Sequence, residues 1–456
     1  MMRRKRKLFV LIFAVTLVFS IAGMQLTVDK TVAADNEFIP EINYDHFELD
    51  NGFDVYVVED ESIPVINYSL FYDVGSIYEK KGKTGMAHFL EHMMFLESEN
   101  LDKGEFNDII DEVGGKSNAM TTYDYTRYYG EVPSTMLELV MSLEAERMSN
   151  LKLNSKEVER EKEVIIQERL TRIQSNVFSK NLEKLQEKAF EDTPLEHQIV
   201  GWIEDLKSMK LKEIKDFYNK YYSVNNATLV LSGDLDSKEA HDLAQKYFGG
   251  YAKADFAGDK ELKEKSWDIK AGKDLEFKDN TRVPIVMMIY DTPKGNHKDQ
   301  VAIDALLNIL VNNNTARVKS ELQRDKRLII ETAGFNTKLE VPGFSLIYFV
   351  PINQGNLDKA QKAFDEEIKN IIENGISEDE LEIVKNKELK SANFNQRSSE
   401  SLAQLVGLGA ANYDNPDFYL EYIEEVHNLK EEDIINAAKK YFSPDSRVTG
   451  TIVPQY

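Results

Sequence analysis

IEDLKSMKLKEIKDFYNKYYS (203–223) aligns without gaps to IEEVHNLKEEDIINAAKKYFS (423–443), which lies 220 residues later in the chain. A second pair, SLFYDVG (69–75) and MMIYDTP (287–293), keeps nearly the same offset of 218 residues. Two distant segments with nearly one offset indicate two tandem copies of a single unit. Chance similarity between helical segments is the alternative explanation.

Each copy has the pattern of an α+β unit. It begins with strand-like segments and ends with a helix and a strand such as NATLVLSG (226–233). Between the copies, residues 251–274 are charged and poor in apolar side chains, as is typical of a linker. The predicted organisation is a signal segment at 1–34, a first unit at 35–250, the linker, and a second unit at 275–456.

The N-terminal segment has the pattern of a secretory signal. The basic stretch MMRRKRK is followed by the apolar run LFVLIFAVTLVFSIAGM, and the small-residue site at 32–34 predicts cleavage before Asp35. The protein is therefore expected outside the cytoplasm, either secreted or in the cell envelope or periplasm. The apolar run is long enough for the alternative, an uncleaved membrane anchor.

Charge and cysteine usage exclude several classes of function. Residues 1–34 hold six Lys/Arg and one acidic residue, so their removal takes the formal net charge from −23 to −28. This acidity disfavours nucleic acid as a partner, because binding to phosphates needs cations. The chain has no cysteine, which excludes disulfides, thiolate metal sites and cysteine nucleophiles. Any metal must be held by His, Asp or Glu.

The stretch GMAHFLEHMMF (85–95) predicts an amphipathic helix, with Thr84 as a possible N-cap. Its apolar residues recur at positions i, i+3, i+4 and i+7, a spacing that forms one core-facing stripe. These residues are Met86, Phe89, Leu90 and Met93.

The neighbouring face of this helix carries His88, Glu91 and His92. Two imidazoles one turn apart can bind one ion, and a catalytic zinc site also needs an open position for water and a carboxylate that accepts the water's proton. We therefore interpret the two histidines as zinc ligands and Glu91 as the general base. A histidine pair in ordinary hydrogen bonds is the alternative. The other histidines lack this spacing and are expected to be structural or on the surface.

A third ligand is expected in NSKEVEREKEVIIQERL (154–170), a helix with Asn154 and Ser155 as possible caps. Glu161 and Glu168 are seven residues apart, so both lie on one face that can turn toward the first helix. Because Glu is common in this chain, the residues alone do not single out one of them.

The motifs of the two predicted helices resemble those of a known family. The H-x-x-E-H order is the arrangement of the inverzincins, and EREKEVIIQE (159–168) resembles the second signature of the pitrilysin/insulinase family of zinc peptidases. In particular, the chain is similar to bacterial two-domain members related to mitochondrial processing peptidase. The last Glu of such a stretch is the family's third ligand, about 76 residues after the second His, and Glu168 follows His92 by 76 residues.

The resemblance implies one Zn²⁺ held by His88, His92 and Glu168. It places Glu161 beside the catalytic Glu91 as a supporting acidic residue. It also implies that the first unit is the catalytic one, and that the two α+β domains, each a mixed or antiparallel sheet with helices on one side, face each other across a cavity.

A predicted strand carries the expected substrate site. GGKSNAMTTYDYTRYYGEVP (114–133) is aromatic and rich in Thr, which favours a strand, and it resembles the family's strand beside the metal. SLEAERMSNL (142–151) resembles the helix that follows. An edge strand can bind an extended peptide by main-chain hydrogen bonds. Asn118 and Ala119 are the positions expected next to the substrate, although an ordinary half-buried strand is an equal alternative for any single residue.

The second copy departs from the family's catalytic pattern. At the 218-residue offset, the site residues of the first copy correspond to Leu306, Ile309 and Leu310, which are core-type residues. SELQRDKRLIIETAGF (320–335) resembles the stretch in which an Arg and a Tyr of the family hold the substrate across the cavity. The matching positions here are Gln323 and Ile330. A shift of one residue gives Arg324 and Glu331, which still lacks the Tyr, so that contact is missing.

These patterns together predict a zinc metalloendopeptidase that hydrolyses peptides or small unfolded polypeptides. Because the Arg and Tyr are missing, we expect it to be the zinc-bearing subunit of a pair with a homologous sister subunit, or a homodimer. One alternative is a non-catalytic scaffold or peptide-binding subunit of the same family. Another is a metal-buffering or binding protein without peptidase activity.

Overall fold

The computed structural model describes residues 42–455, apart from 256–261, 263–264, 266, 268 and 396–397. The predicted signal segment and part of the predicted linker lie outside these residues. None of the helices in the described ranges is long and apolar enough to cross a membrane.

The strands form two sheets. They are β1 Asp45–Glu48, β2 Asp54–Glu59, β3 Val65–Tyr72, β4 Lys116–Thr121, β5 Thr126–Pro133, β6 Ala227–Gly233, β7 Lys273–Asp279, β8 Ile285–Thr292, β9 Ile329–Asn336, β10 Gly343–Pro351 and β11 Arg447–Pro454. Sheet 1 has the order β1-β2-β6-β3-β5-β4, and sheet 2 has the order β7-β11-β8-β10-β9. Each sheet contains one parallel pair, β2 with β6 in sheet 1 and β7 with β11 in sheet 2. The next strand, β3 beside β6 or β8 beside β11, runs antiparallel to its neighbour.

Helices connect and cover the strands. They are α1 Met86–Met93, α2 Glu105–Glu112, α3 Leu137–Ser149, α4 Ser155–Arg169, α5 Val177–Ala189, α6 Ile203–Ser208, α7 Leu211–Tyr221, α8 Ser237–Tyr247, α9 Asp299–Leu307, α10 Leu357–Asn374, α11 Glu378–Asn395, α12 Ser399–Tyr413, α13 Phe418–Asn428 and α14 Glu431–Tyr441. Single π-helical turns lie at Leu170–Gln174, Asn308–Asn312 and Lys319–Asp325.

Strand register confirms the internal duplication. Tyr72 of β3 is paired with Ala227 of β6, and Tyr290 of β8 is paired with Arg447 of β11. The two tyrosines are 218 residues apart and their partners are 220 apart, so the pairing reproduces both offsets found in the sequence. The prediction of two tandem α+β units is confirmed.

Each sheet is covered on both faces, and one of these covers comes from the other unit. The first unit's own helices lie on one side of sheet 1, while α12 of the second unit packs on β2, β3 and β6. In the same way, α5 of the first unit packs on β7, β8 and β11. Because a helix can approach a sheet closely only over small side chains, Gly407 of α12 lies against Phe71, where a Cβ atom would come within 2.1 Å of the ring.

The two units also share a hydrophobic cluster that contains Leu70 of β3 and Ile289 of β8. The end of the predicted linker takes part in this junction: the N–H of Lys270 donates to the carbonyl of Ala189. Strand β7 begins at Lys273, inside the range expected for the linker. The cavity expected between the units stays a prediction.

Candidate metal centre and active site

The predicted apolar stripe packs α1 against the core. Met86, Phe89, Leu90 and Met93 are all buried. His88 is also buried, whereas Glu91 and His92 are half-buried. One face of the helix therefore supplies packing and the adjacent face supplies polar groups.

The N-terminus of α1 is held by Glu79, which was not identified from the sequence. Its buried carboxylate accepts hydrogen bonds from the N–H groups of Gly85 at 2.6 Å and Ala87 at 2.9 Å. Burial raises the pKa of Glu79 well above its usual value, and these N–H donors oppose that shift. A carboxylate at this end also meets the positive pole of the helix.

The prediction that Thr84 caps α1 is wrong. The cap position is Gly85, with φ of +85°, and it makes no side-chain cap bond. The Thr84 hydroxyl instead donates to Asp205 at 2.7 Å and accepts from the N–H of Trp202 at 2.8 Å. A Cβ at position 85 would come within 2.5 Å of the Val200 carbonyl oxygen, so close approach of this loop excludes a larger cap residue.

Helix α4 brings the two predicted glutamates to the same site. Its N-cap is Asn154, whose side chain accepts from the N–H of Glu157 at 3.0 Å, as predicted. Helices α1 and α4 pack against each other. The shared face of α4 therefore turns Glu161 and Glu168 toward α1.

His88, His92 and Glu168 form a cluster in which one ligand atom from each lies within 4.8 Å of the others. Glu168 Oε2 lies 3.3 Å from His92 Nε2, and Glu168 Oε1 lies 3.8 Å from His88 Nε2. Two atoms that each bind zinc at about 2.0–2.2 Å can be at most about 4.4 Å apart, so both distances fit a shared ion. Two imidazoles and one carboxylate form the ligand set of an open catalytic zinc site. Within the described residues, no other His/Asp/Glu group meets this criterion.

Glu161 orients His92 rather than joining this ligand set. Its Oε1 lies 3.0 Å from His92 Nδ1, which leaves Nε2 to face Glu168. Carboxylates commonly hold the outer nitrogen of a metal-binding histidine in this way and so set its tautomer. Although burial lowers the pKa of His92, the hydrogen bonds to Glu161 and Glu168 raise it to about 9.

The other two proposed ligands, His88 and Glu168, have lowered pKa values. Burial, together with the neighbouring His92, lowers the pKa of His88 to about 4, so this imidazole is neutral and able to bind a metal at neutral pH. Burial tends to raise the pKa of Glu168, but the hydrogen bond with His92 and the charges of His88 and Arg172 lower it overall. Glu168 therefore presents a charged carboxylate.

Glu91 lies on the same face of α1 and accepts a hydrogen bond from the hydroxyl of Thr121 at the end of β4. Burial raises the pKa of Glu91, and the Thr121 hydrogen bond and the charge of His92 oppose that shift. A carboxylate with a raised pKa is better matched to accept a proton near neutral pH. Thr121 thus fixes the side chain expected to act as the base.

The stretch 114–133, predicted as one strand, forms the antiparallel pair β4 and β5, and β4 is the edge strand of its sheet. Strand β4 pairs only with β5 in the described sheet, so its outer edge is open. Asn118 is exposed, Ala119 is half-buried, and the Asn118 side chain accepts from the N–H of Ala119 at 2.9 Å. Because side chains alternate along a strand, Ala119 and Thr121 share the face that turns toward α1, whereas Asn118 points to the other face.

Two further residues at this site were missed from the sequence, Thr121 and Arg172. Arg172 Nη1 lies 2.5 Å from Glu168 Oε1. Its spacing of four residues from Glu168 on a helical segment was a usable signal. Thr121 was detectable as well, since it lies two residues after Ala119 in a strand.

No matching cluster occurs among the described residues of the second unit. Leu306, Ile309 and Leu310 are buried in its core, as predicted. At the positions where the family carries Arg and Tyr, the Gln323 amide donates to the main-chain carbonyl of Ile330 at 2.6 Å. The Ile330 side chain is 50% exposed.

Comparison with known proteins gives matches over both units. The profile described as "Insulinase (Peptidase family M16)" matches residues 55–201, and "Peptidase M16 inactive domain" matches residues 208–388. Zinc protease PqqE of Helicobacter pylori is 30% identical over 416 residues, which cover 89% of this chain and 92% of that protein. The crystal structure of a protease from Helicobacter pylori has a TM-score of 0.84 and 28% identity, and the match covers 91% of this chain and 100% of that chain. Mitochondrial-processing peptidase subunit beta of Bos taurus is 30% identical over 201 residues, 44% of this chain and 41% of that protein.

Proposed function

Because this chain belongs to the insulinase (M16) family of peptidases, we propose that it is a zinc-dependent endopeptidase that hydrolyses peptides or small unfolded polypeptides. The observation that carries the proposal is the convergence of His88, His92 and Glu168, with Glu91 on the same helix face. A scaffold subunit needs neither a metal-ligand set nor a half-buried carboxylate beside it. The names of the zinc protease relatives support the same conclusion.

Each residue has a separate role in this proposal. His88, His92 and Glu168 hold the ion, and Glu161 keeps the ring of His92 oriented through its Nδ1. A bound zinc ion would polarise the scissile carbonyl and lower the pKa of a bound water toward about 7. Glu91 accepts the proton of the attacking water and transfers it to the leaving amine.

The open edge of β4 is the proposed peptide-binding surface. An extended peptide added to this edge gains main-chain hydrogen bonds that depend little on its sequence. Asn118 and Ala119 lie on opposite faces of the strand and are the proposed contacts for alternating substrate residues.

Chelator-sensitive cleavage of unstructured peptides tests the proposed activity. The purified chain should contain one zinc ion and lose cleavage when the ion is removed. Glu91→Gln should abolish turnover and keep the zinc content, whereas Glu163→Gln, at an exposed position of α4, should leave both unchanged. Zinc binding without cleavage under all conditions would support the metal-binding or scaffold alternatives instead.

We further propose that the chain is the zinc-bearing member of a pair. Gln323 and Ile330 stand where the family's Arg and Tyr contact the substrate, and loss of one transition-state contact typically lowers the rate by about 10²–10³-fold. One relative is named as a subunit of mitochondrial-processing peptidase. Cleavage should rise when a homologous protein that carries the Arg and Tyr is added. Full activity of the chain alone would reject the requirement for a sister subunit, and a homodimer would appear by sedimentation.

The proposed place of action is outside the cytoplasm, on the basis of the signal-like segment at residues 1–34. Fractionation of cells that express the full chain would test this proposal. Cytoplasmic recovery of an unprocessed protein would contradict it.

A further inference from the structure

Arg172 is a charged residue at the site, and the proposed chemistry gives it no role. It lies on the π-helical turn that directly follows α4. Its Nη1 is 2.5 Å from Glu168 Oε1, and 55% of its side chain is exposed. Among the described residues, Glu168 is the one ion-pair partner of Arg172. The side chain thus contacts the proposed metal-ligand cluster on one side and is exposed to solvent on the other.

Arg172 differs from the buried basic side chains of α4, Arg169 and Lys162. Arg169 is buried, pairs with Glu183 at 2.8 Å and lies over the ring of Trp202. Lys162 pairs with Glu159 at 2.7 Å. Their charges are already neutralised by carboxylates that have no part in the metal cluster. Arg172, in contrast, pairs with Glu168, a proposed metal ligand, and keeps 55% of its side chain exposed.

The donor geometry of Arg172 leaves room for a second anion. A guanidinium has five N–H donors in a planar fork, and the contact with Glu168 uses one terminal nitrogen. When Glu168 shares its negative charge with a metal ion, its attraction for Arg172 decreases. A substrate carboxylate is then the natural additional partner, because two parallel N–H donors match its two oxygens.

We propose that Arg172 forms a carboxylate-binding subsite next to the catalytic residues, so that peptides with a carboxylate close to the scissile bond are preferred. The carboxylate comes either from an acidic side chain or from the C-terminus of a short peptide. This inference rests on the proposed peptidase function. The negative net charge of the whole chain repels an acidic peptide at this site only weakly, because physiological salt screens charges that lie more than about 8 Å away.

The expected effect is moderate, since Arg172 is half exposed. Partly exposed ion pairs usually change affinity by a factor of up to about five, and a bidentate pair exceeds this value. The preference should therefore appear in KM and in peptide affinity more than in kcat. A role confined to holding Glu168 would change the zinc content and leave peptide preference unaltered.

The test compares the intact chain with Arg172→Gln and Arg172→Glu. Arg160→Glu is the matched control, because it makes the same charge change at an exposed position of α4. Each protein is assayed with zinc on peptides that differ only by Glu, Gln or Lys at one position near the scissile bond, and on peptides with a free or amidated C-terminus. The first series detects an acidic side chain and the second detects a terminal carboxylate.

We expect the unaltered chain and the Arg160 variant to have a KM about fivefold lower for the carboxylate-bearing peptide in at least one series. Arg172→Gln should remove this difference, and Arg172→Glu should favour the Lys peptide. Equal Glu-to-Gln and free-to-amidated ratios in the unaltered chain and in Arg172→Gln would overturn the proposal. A loss of zinc from Arg172→Gln with unchanged ratios would also overturn it and would make Arg172 a positioning residue.

A binding measurement separates this inference from the proposed activity. The same peptides, labelled for fluorescence anisotropy, are titrated into the zinc-loaded Glu91→Gln variant with and without Arg172→Gln. A carboxylate preference that depends on Arg172 supports the subsite even if no peptide is cleaved. Cleavage of neutral peptides without such a preference would support the peptidase and reject the subsite.

Discussion

Replacement of Glu161 by Gln should weaken zinc binding while the fold stays intact. The Glu161 carboxylate lies 3.0 Å from His92 Nδ1, and both side chains are mostly buried. Gln keeps the shape and one acceptor oxygen but loses the charge that stabilises the ring orientation. Loss of such an outer partner typically lowers metal affinity by roughly 10–100-fold, which corresponds to about 1.4–2.8 kcal/mol.

Chelator competition measures this change directly. Glu163→Gln is the control, because Glu163 is exposed on the same helix. Thermal unfolding of both metal-free variants would show whether the fold is retained. At saturating zinc, Glu161→Gln should keep a larger share of the turnover than Glu91→Gln. Equal zinc affinity in Glu161→Gln and Glu163→Gln would refute the positioning role.

Four further predictions concern the proposed ligands Glu168 and His92 and the start of α1. Glu168→Gln should lose zinc during dialysis, and a zinc content equal to that of the unaltered chain would contradict its role as a ligand. Because the pKa of metal-free His92 is raised to about 9, this residue is protonated at pH 7 and must release that proton when zinc binds. Zinc affinity should therefore rise by about tenfold per pH unit up to about pH 9, with about one proton released per ion in calorimetry across different buffers. The same raised pKa stabilises the metal-free fold below pH 6.5, and this contribution disappears as the pH rises through about 9. Glu79→Gln should reduce the free energy of unfolding by about 1–3 kcal/mol in urea, because a buried amide cannot accept both N–H bonds at the start of α1. The exposed Glu61→Gln should show no such change.

The parts of the site that follow from local periodicity were predictable. Helical spacing fixed the core stripe of α1 and its polar face, and Asn154 acts as the cap expected for α4. The aromatic and Thr-rich composition of residues 114–133 was sufficient to expect strand structure there. For these features, residues close in the chain determine the structure, so one segment contains the whole signal.

The parts that depend on distant loops were not predictable in this way. Thr84 has the side chain of a helix cap, but its hydroxyl donates to Asp205 and accepts from the N–H of Trp202, which gives it another role. Glu79 caps α1 from a position six residues before Gly85, with an irregular loop between them. The glutamate at 168 required the family resemblance, because the charge pattern of α4 offers several equivalent carboxylates.

The exchange of α5 and α12 between the units was also beyond the sequence patterns. Both helices have an apolar face, but that face does not reveal which sheet it will cover. In the structure, α12 meets Tyr56, Phe71 and Val230 on the far side of sheet 1. Only tertiary contacts distinguish this arrangement from a helix that packs on its own sheet.

This exchange has a consequence for the ancestry of the chain and for attempts to shorten it. The first unit made alone, residues 35–250, would lack the helix that shields Phe71 and Val230, and it would expose an apolar sheet face prone to aggregation. A primordial single-copy gene would have met the same difficulty, unless two identical chains lent each other this helix. The tandem chain contains in one polypeptide what such a symmetrical pair would have formed, so the second copy is indispensable to the first even though the His and Glu cluster lies in the first copy.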